Sequence, residues 1–200
     1  MDSKKAVKQL KALGKMTKGK EIRLAAEWKK PWHVLIATIL SAQSRDTKTI
    51  VICNELFRKF KTPAALGAAR ISSIEKIIHS VNYYKTKARH IKESGKIIAR
   101  EGLGKSVEEL IKLPGVGRKT ANVYLAVVHK AAAIGVDTHV ARISGKLGWT
   151  KNKDRHKIEK DLMELFPKRY WREINYALVR FGQTFGRSRK KEDEILAELK

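Results

Sequence analysis

A chain of 200 residues with 42% hydrophobic content has material for one domain or two small ones. Its one cysteine, Cys53, excludes an intramolecular disulfide, a thiolate zinc site and a cysteine-ligated iron–sulfur cluster. The 44 lysines and arginines against 20 aspartates and glutamates leave a net charge of +24, which points to a polyanionic partner, nucleic acid ahead of an anionic membrane surface. No apolar run approaches the ~18 residues that cross a bilayer. The opening Met1-Asp2-Ser3-Lys4-Lys5 has no apolar signal segment. A soluble intracellular monomer is expected, cytoplasmic and nucleoid-associated, with no membrane partner.

The segments repeat with helical period, and no Val/Ile/Thr alternation marks a sheet. Val34 to Gln43 is apolar nearly all round and reads as a buried central helix. A second helix covers Ile50 to Phe60 and stops before Thr62-Pro63, a cap followed by a first-turn proline. Ser72-x-x-Glu75 and Ser106-x-x-Glu109 both fit the capping box, each opening a short helix. Gly102 and Gly104 close a helix that begins near Lys87, and Pro167 ends one running from Asp154 to Phe166. The class is all-α.

One connection stands apart: Leu113-Pro114-Gly115-Val116-Gly117-Arg118-Lys119-Thr120-Ala121. A short helix over 107–112 meets a four-residue turn, and a second helix starts near Arg118. Gly115 and Gly117 can adopt positive φ, and neither has a Cβ to block the approach of a phosphate. The N-terminus of the second helix and Arg118 add positive charge beside it. Such a turn grips a phosphate without reading its base. A plain helical hairpin has the same outline and would need none of the charge.

This stretch resembles the helix–hairpin–helix of the endonuclease III family of DNA glycosylases. Two further stretches agree in order: Leu40-Ser41-Ala42-Gln43-x-x-Asp46 upstream and Val136-Asp137-Thr138-His139-Val140-x-Arg142 downstream. The resemblance spans roughly residues 25–185. It implies a two-lobed helical fold with a DNA-binding cleft between the lobes. One lobe is a six-helix bundle over residues 24–132, containing the hairpin motif at about 107–128. The other joins residues 1–23 to 133–200. It further implies duplex DNA with damaged bases or abasic sites as partner, the damaged nucleotide being rotated into a pocket.

Within that resemblance Lys119 and Asp137 are the catalytic candidates. An amine attacks only in its neutral form, which desolvation and adjacent positive charge favour. Attack of Lys119 on the sugar C1′ would expel the base and leave a Schiff base, and β-elimination would then cut the strand. Asp137 also reads as an ordinary helix N-cap. Its catalytic reading is a carboxylate that takes a proton from the amine or stabilises positive charge at C1′. Leu113, Gly115, Val116, Gly117, Arg118, Thr120 and Arg142 are expected at the DNA. Gln43 corresponds to a side chain that enters the gap left by the flipped nucleotide, or is simply a polar residue at a helix C-terminus. Tyr83-Tyr84 occupies the loop of a second wedge, with Tyr83 the candidate, or is ordinary helix-flanking core. Asp46 either ties the Gln43 loop to its neighbours or lines the pocket, while His139 is expected to be structural.

The chain departs from the family after Phe185. Many members carry four cysteines there around an iron–sulfur cluster; here Arg187-Ser188-Arg189-Lys190-Lys191 leads into a short amphipathic helix with Ile195, Leu196 and Leu199 near one face. No cluster is expected, packing takes its place, and Arg187, Arg189, Lys190 and Lys191 keep phosphate contact. No metal is expected otherwise, beyond a monovalent cation that the hairpin carbonyls could hold. The leading expectation is a bifunctional glycosylase/AP lyase that removes oxidised or damaged pyrimidines from duplex DNA. A mismatch or alkyl-base glycosylase and a non-catalytic DNA-binding helix–hairpin–helix protein are the alternatives.

Overall fold

A computed structural model describes residues 2–20 and 22–199. Among these residues there are twelve α-helices and no strand. In order they are α1 (Ser3–Met16), α2 (Pro31–Ser41), α3 (Asp46–Lys59), α4 (Pro63–Ala68), α5 (Ile71–Ile78), α6 (Tyr84–Glu101), α7 (Val107–Leu110), α8 (Arg118–Val128), α9 (Thr138–Lys146), α10 (Arg155–Leu165), α11 (Trp171–Phe185) and α12 (Arg189–Glu198). A 3₁₀ turn at Lys168–Tyr170 precedes α11. The helices sort into two compact units, one over Arg23–His129 and one combining the segment up to Ile22 with the chain from Lys130 onward.

In the Arg23–His129 unit, α2 has the apolar-all-round composition of a central helix and is buried from Val34 to Leu40. It packs against α3, α6 and α8. Thr62 caps α4 with its hydroxyl on the Ala65 amide, and Pro63 occupies the first turn. Ser106 and Glu109 close a capping box around the single-turn α7. The corresponding box at Ser72 does not form. The link from α4 takes only two extended residues, Ala69 and Arg70, so α5 starts at Ile71 and winds through Ser72. Burial of Ile74, Ile77 and Ile78 decides this register over the local capping preference. Helix α6 starts three residues before Lys87, at Tyr84, because Tyr83 adopts the left-handed conformation that turns the chain.

The second unit is built on α1 and α9–α12. Leu10 and Leu13 of α1 share a core with Val140, Ile143, Leu162, Phe166, Leu178, Phe181 and Leu196. The buried Gln9 crosses this core, accepting from Trp149 Nε1 at 2.7 Å and donating to the Leu199 carbonyl at 2.8 Å. The amphipathic α12 inserts Leu196 fully, with Ile195 and Leu199 packed beside it.

Candidate active site and nucleic-acid interface

The turn between α7 and α8 is fixed from below. Leu113 and Val116 are buried, the Val116 amide donates to the Leu113 carbonyl at 3.1 Å, and Ser94 of α6 donates its hydroxyl to the Pro114 carbonyl at 3.0 Å. The side chains of Leu113 and Val116 are thus anchors of the turn, leaving only their main-chain atoms for the DNA contact expected of them. A cation at the hairpin would share the Leu113 and Pro114 oxygens with these donors, each carbonyl keeping a second lone pair.

The two hairpin glycines serve different ends. Gly115 sits at φ +79°, and a Cβ there would stand 2.9 Å from His90 Nδ1 and 3.0 Å from its Cβ. Gly117 is instead in ordinary extended backbone at φ −94°, so of the two glycines only Gly115 uses the positive φ open to both. A Cβ on Gly117 would meet nothing within 4 Å. Glycine there leaves open space in front of the first turn of α8, and as N-cap it brings no side-chain acceptor to that turn. Arg118 is exposed beside it, Lys119 is half-buried, and Thr120 is buried. Lys119 thus lies in the first turn of α8, where the helix N-terminus carries partial positive charge.

A second feature of this unit is a pair of exposed tips. Gln43, just past α2, and Tyr83, just before α6, both have positive φ, and Asn82 Nδ2 donates to the Gln43 carbonyl at 2.6 Å. Below them Lys87 is buried, with Nζ donating to the carbonyls of Leu40 at 2.8 Å and Ala42 at 2.5 Å. Burial pulls this amine down to about 8. Asp46 accepts from the Ala25 amide at 3.1 Å, tying the start of α3 to the segment before α2. Asn82 and Lys87 lie in the stretch Asn82-Tyr83-Tyr84-Lys85-x-Lys87-Ala88 that resembles the second-wedge loop, but the sequence assigned neither a role. The signal for Lys87 is its register, since it shares a face of α6 with the buried Ala88, Ile91 and Ile98.

In the other unit Asp137 caps α9, accepting from the Val140 amide at 2.8 Å through Oδ1, and is half-buried. The cap fixes the carboxylate's orientation. One turn on, Arg142 has a different task from the one expected. Its Nε and Nη2 clasp Glu192 of α12 at 2.9 and 2.6 Å, and Lys146 reaches the same carboxylate at 2.8 Å. Glu192 is fully buried, and Arg189 touches it more loosely at 3.5 Å. Burial alone would push the Glu192 carboxyl up; the hydrogen bonds and charges of Arg142 and Lys146 overcome it and hold the group at about 2. Gly182 in α11 and Gly186, its C-cap, make room. A Cβ on Gly182 would collide with the His139 ring, and one on Gly186 would stand 2.8 Å from Glu192 Oε2 and 3.1 Å from Arg142 Nη2. Arg142 is therefore an internal tie, and His139 packs structurally beside it. Arg187 and Lys190 lie exposed on the approach to α12.

The donor set does not fit the iron–sulfur cluster of the resemblance. The stretch from Arg187 to Lys200 contains no cysteine. Cys53 is buried in α3, where burial pushes its thiol up to about 12 against the opposing pull of Arg23. Among the described residues no group of three His, Cys, Asp or Glu side chains is placed to hold a metal ion. None of the described helices is long and apolar enough to cross a membrane.

Comparison with known proteins agrees with this geometry. A family model described as HhH-GPD superfamily base excision DNA repair protein matches residues 36–168. Endonuclease III of Thermotoga maritima is 42% identical over 156 residues, covering 76% of this chain and 73% of that protein. A trapped endonuclease III–DNA covalent intermediate superposes with a TM-score of 0.86 at 33% identity, over 94% of this chain and 90% of that one. A thermostable thymine-DNA glycosylase shares the fold, with a TM-score of 0.81 at 19% identity over 98% of this chain and 95% of that one. The chain belongs to the HhH-GPD superfamily of base excision DNA repair proteins and, within it, to the endonuclease III family.

Proposed function

We propose that this protein is a bifunctional DNA glycosylase/AP lyase of base-excision repair, acting on oxidised or damaged pyrimidines in duplex DNA with Lys119 as nucleophile. The observation that carries the reading is the half-buried Lys119 in the first turn of α8, directly behind the open approach at Gly117. A phosphate drawn to that turn sets the deoxyribose within reach of the amine.

In the proposed reaction the neutral Lys119 amine forms a bond to C1′ while the C1′–base bond breaks, the base leaving with the electron pair and taking up a proton. Opening of the sugar ring gives an iminium, which acidifies the C2′ proton. Loss of that proton forms the C2′–C3′ double bond and breaks the C3′–O bond, cutting the strand; water then releases the lysine. Asp137, its Oδ1 held by the Val140 amide, is the proposed proton acceptor and stabiliser of positive charge at C1′. Gln43 and Tyr83 are assigned to the gap left by the flipped nucleotide. Gly115, Gly117, Arg118, Arg187 and Lys190 are assigned to the phosphates.

No step requires a cluster, and we assign the closure of the C-terminal segment to the buried Glu192 and its cationic partners. Borohydride added to the protein with an abasic-site duplex should trap a covalent adduct. Lys119→Ala should remove the adduct and strand cleavage by at least ~10³-fold while leaving DNA binding in place. Persistence of the adduct in that variant would reassign the nucleophile. Binding without adduct or cleavage in the wild type would reduce the protein to a DNA-binding module.

A further inference from the structure

Gln43 at φ +56° and Tyr83 at φ +59° are non-glycine residues held in the left-handed region, within one compact unit. Each such residue is strained and persists only where its surroundings enforce it. Here the surroundings are specific. Asn82, next to Tyr83, holds the Gln43 carbonyl, so one strained loop grips the other. Lys87 caps the end of α2 through the Leu40 and Ala42 carbonyls, directly behind Gln43. It reaches them from the first turn of α6, directly behind Tyr83. A buried ammonium carries a desolvation penalty that methionine in the same space would not. The arrangement nevertheless leaves Tyr83 69% exposed, a large ring facing solvent on a braced loop.

We propose that Lys87 and Asn82 are positioning residues that lock the Gln43 and Tyr83 tips into one rigid wedge for entry into the base stack of an opened duplex. The proposal rests on the glycosylase reading above for its substrate, an abasic or flipped site. A ring that stacks on a base is worth roughly 1–3 kcal/mol, and a pre-ordered loop keeps most of that gain because little ordering remains to be done on binding. A single strand has no stack to enter, so it needs the nucleophile and the phosphate grip without the wedge.

The test uses the full chain with Lys87→Met and Asn82→Ala, the second at an exposed position. A duplex carrying 2-aminopurine opposite an abasic-site analogue reports wedge entry as a rise in fluorescence, independent of any chemistry. Both variants should lose most of that rise. Their borohydride trapping should slow about tenfold or more on an abasic duplex and change no more than about twofold on an abasic single strand. Should Lys87→Met fail to fold, Asn82→Ala decides alone. A wild-type fluorescence rise kept by folded variants, equal losses on both substrates, or no rise with the wild type would overturn the wedge assignment. A wild type that brightens the probe but forms no adduct on either substrate would instead overturn the lysine chemistry and leave the wedge standing.

Discussion

The α7–α8 turn and the α11–α12 junction read alike as sequence, each a pair of glycines followed by basic residues, and they do opposite things. At the turn, the missing Cβ of Gly117 faces empty space. At the junction, the missing Cβ atoms of Gly182 and Gly186 are replaced by the His139 ring and the Arg142–Glu192 pair. Glycine beside arginine therefore marks a ligand approach only where nothing inside the protein has taken the space. In a chain of net charge +24, the few carboxylates decide the matter. One buried glutamate, Glu192, draws Arg142 and Lys146 inward at the junction.

The junction side of this contrast breaks first. Glu192→Gln removes the charge that Arg142 and Lys146 share while keeping the side chain's shape. Loss of one partner of a buried ion pair costs roughly 3–5 kcal/mol, and for a chain of this size that should lower Tm by roughly 10 °C in a thermal scan. The wild type should show the same dependence in acid. Because the folded Glu192 group lies at about 2, below its ordinary 4.5, the stability it supplies is full above about pH 4.5 and is lost as pH falls towards 2. That loss amounts to at most ~3 kcal/mol, and it should vanish from the pH profile of Glu192→Gln. His33, stacked on Phe57 at 3.8 Å, is held at about 4 by burial and by Lys30. Its folded value also lies below the unfolded one, so an earlier decline should begin near pH 6.5 and be absent from His33→Phe.

The two hairpin glycines sharpen the contrast at smaller cost. Gly115→Ala puts a Cβ both in the left-handed region and against His90, and should destabilise the fold by about 2 kcal/mol. Gly117→Ala meets neither strain nor neighbour, so stability should change by less than about 0.5 kcal/mol. Its Cβ stands where the DNA backbone would come, however, and duplex affinity should fall about tenfold in a titration, near 1.4 kcal/mol. Equal affinity for the two duplex complexes, wild type and Gly117→Ala, would mean that the open space is not the approach.

What could be read in the sequence follows the range of the forces involved. The all-helical class, the buried α2 and the caps at Thr62, Ser106 and Asp137 depend on periodicity and on neighbours within four residues, and these were legible. The Ser72 box has the right residues but lost to the short α4–α5 link, a tertiary constraint. The left-handed backbone at Gln43 and Tyr83 leaves no mark in residue type, since neither glycine nor asparagine stands there. Arg142 resembled a phosphate ligand because its acceptor lies 50 residues away on α12. Glu192 itself sits in a run of charges, Arg187 to Glu194, that reads as solvated surface. Only the α12 register, with Leu196 buried one turn later on the same face, shows that Glu192 points inward.

Salt dependence gives the smallest and most direct separation of the two regions. Each phosphate neutralised by a side chain contributes about −0.9 to the slope of log affinity against log salt on duplex DNA. Arg118→Gln should therefore reduce that slope by about one unit, and Arg187→Gln or Lys190→Gln by no more than this, since both side chains are exposed. Arg142→Gln should leave the slope unchanged, because its guanidinium already has a carboxylate partner, and should instead lower Tm by leaving the buried Glu192 with Lys146 as its one close cationic partner. Arg189, which touches Glu192 only at 3.5 Å and is otherwise exposed, belongs between the two classes: its glutamine variant should shift both readouts slightly. A slope change on Arg142→Gln as large as that on Arg118→Gln would show that the buried network opens on DNA, and that the junction is part of the interface after all.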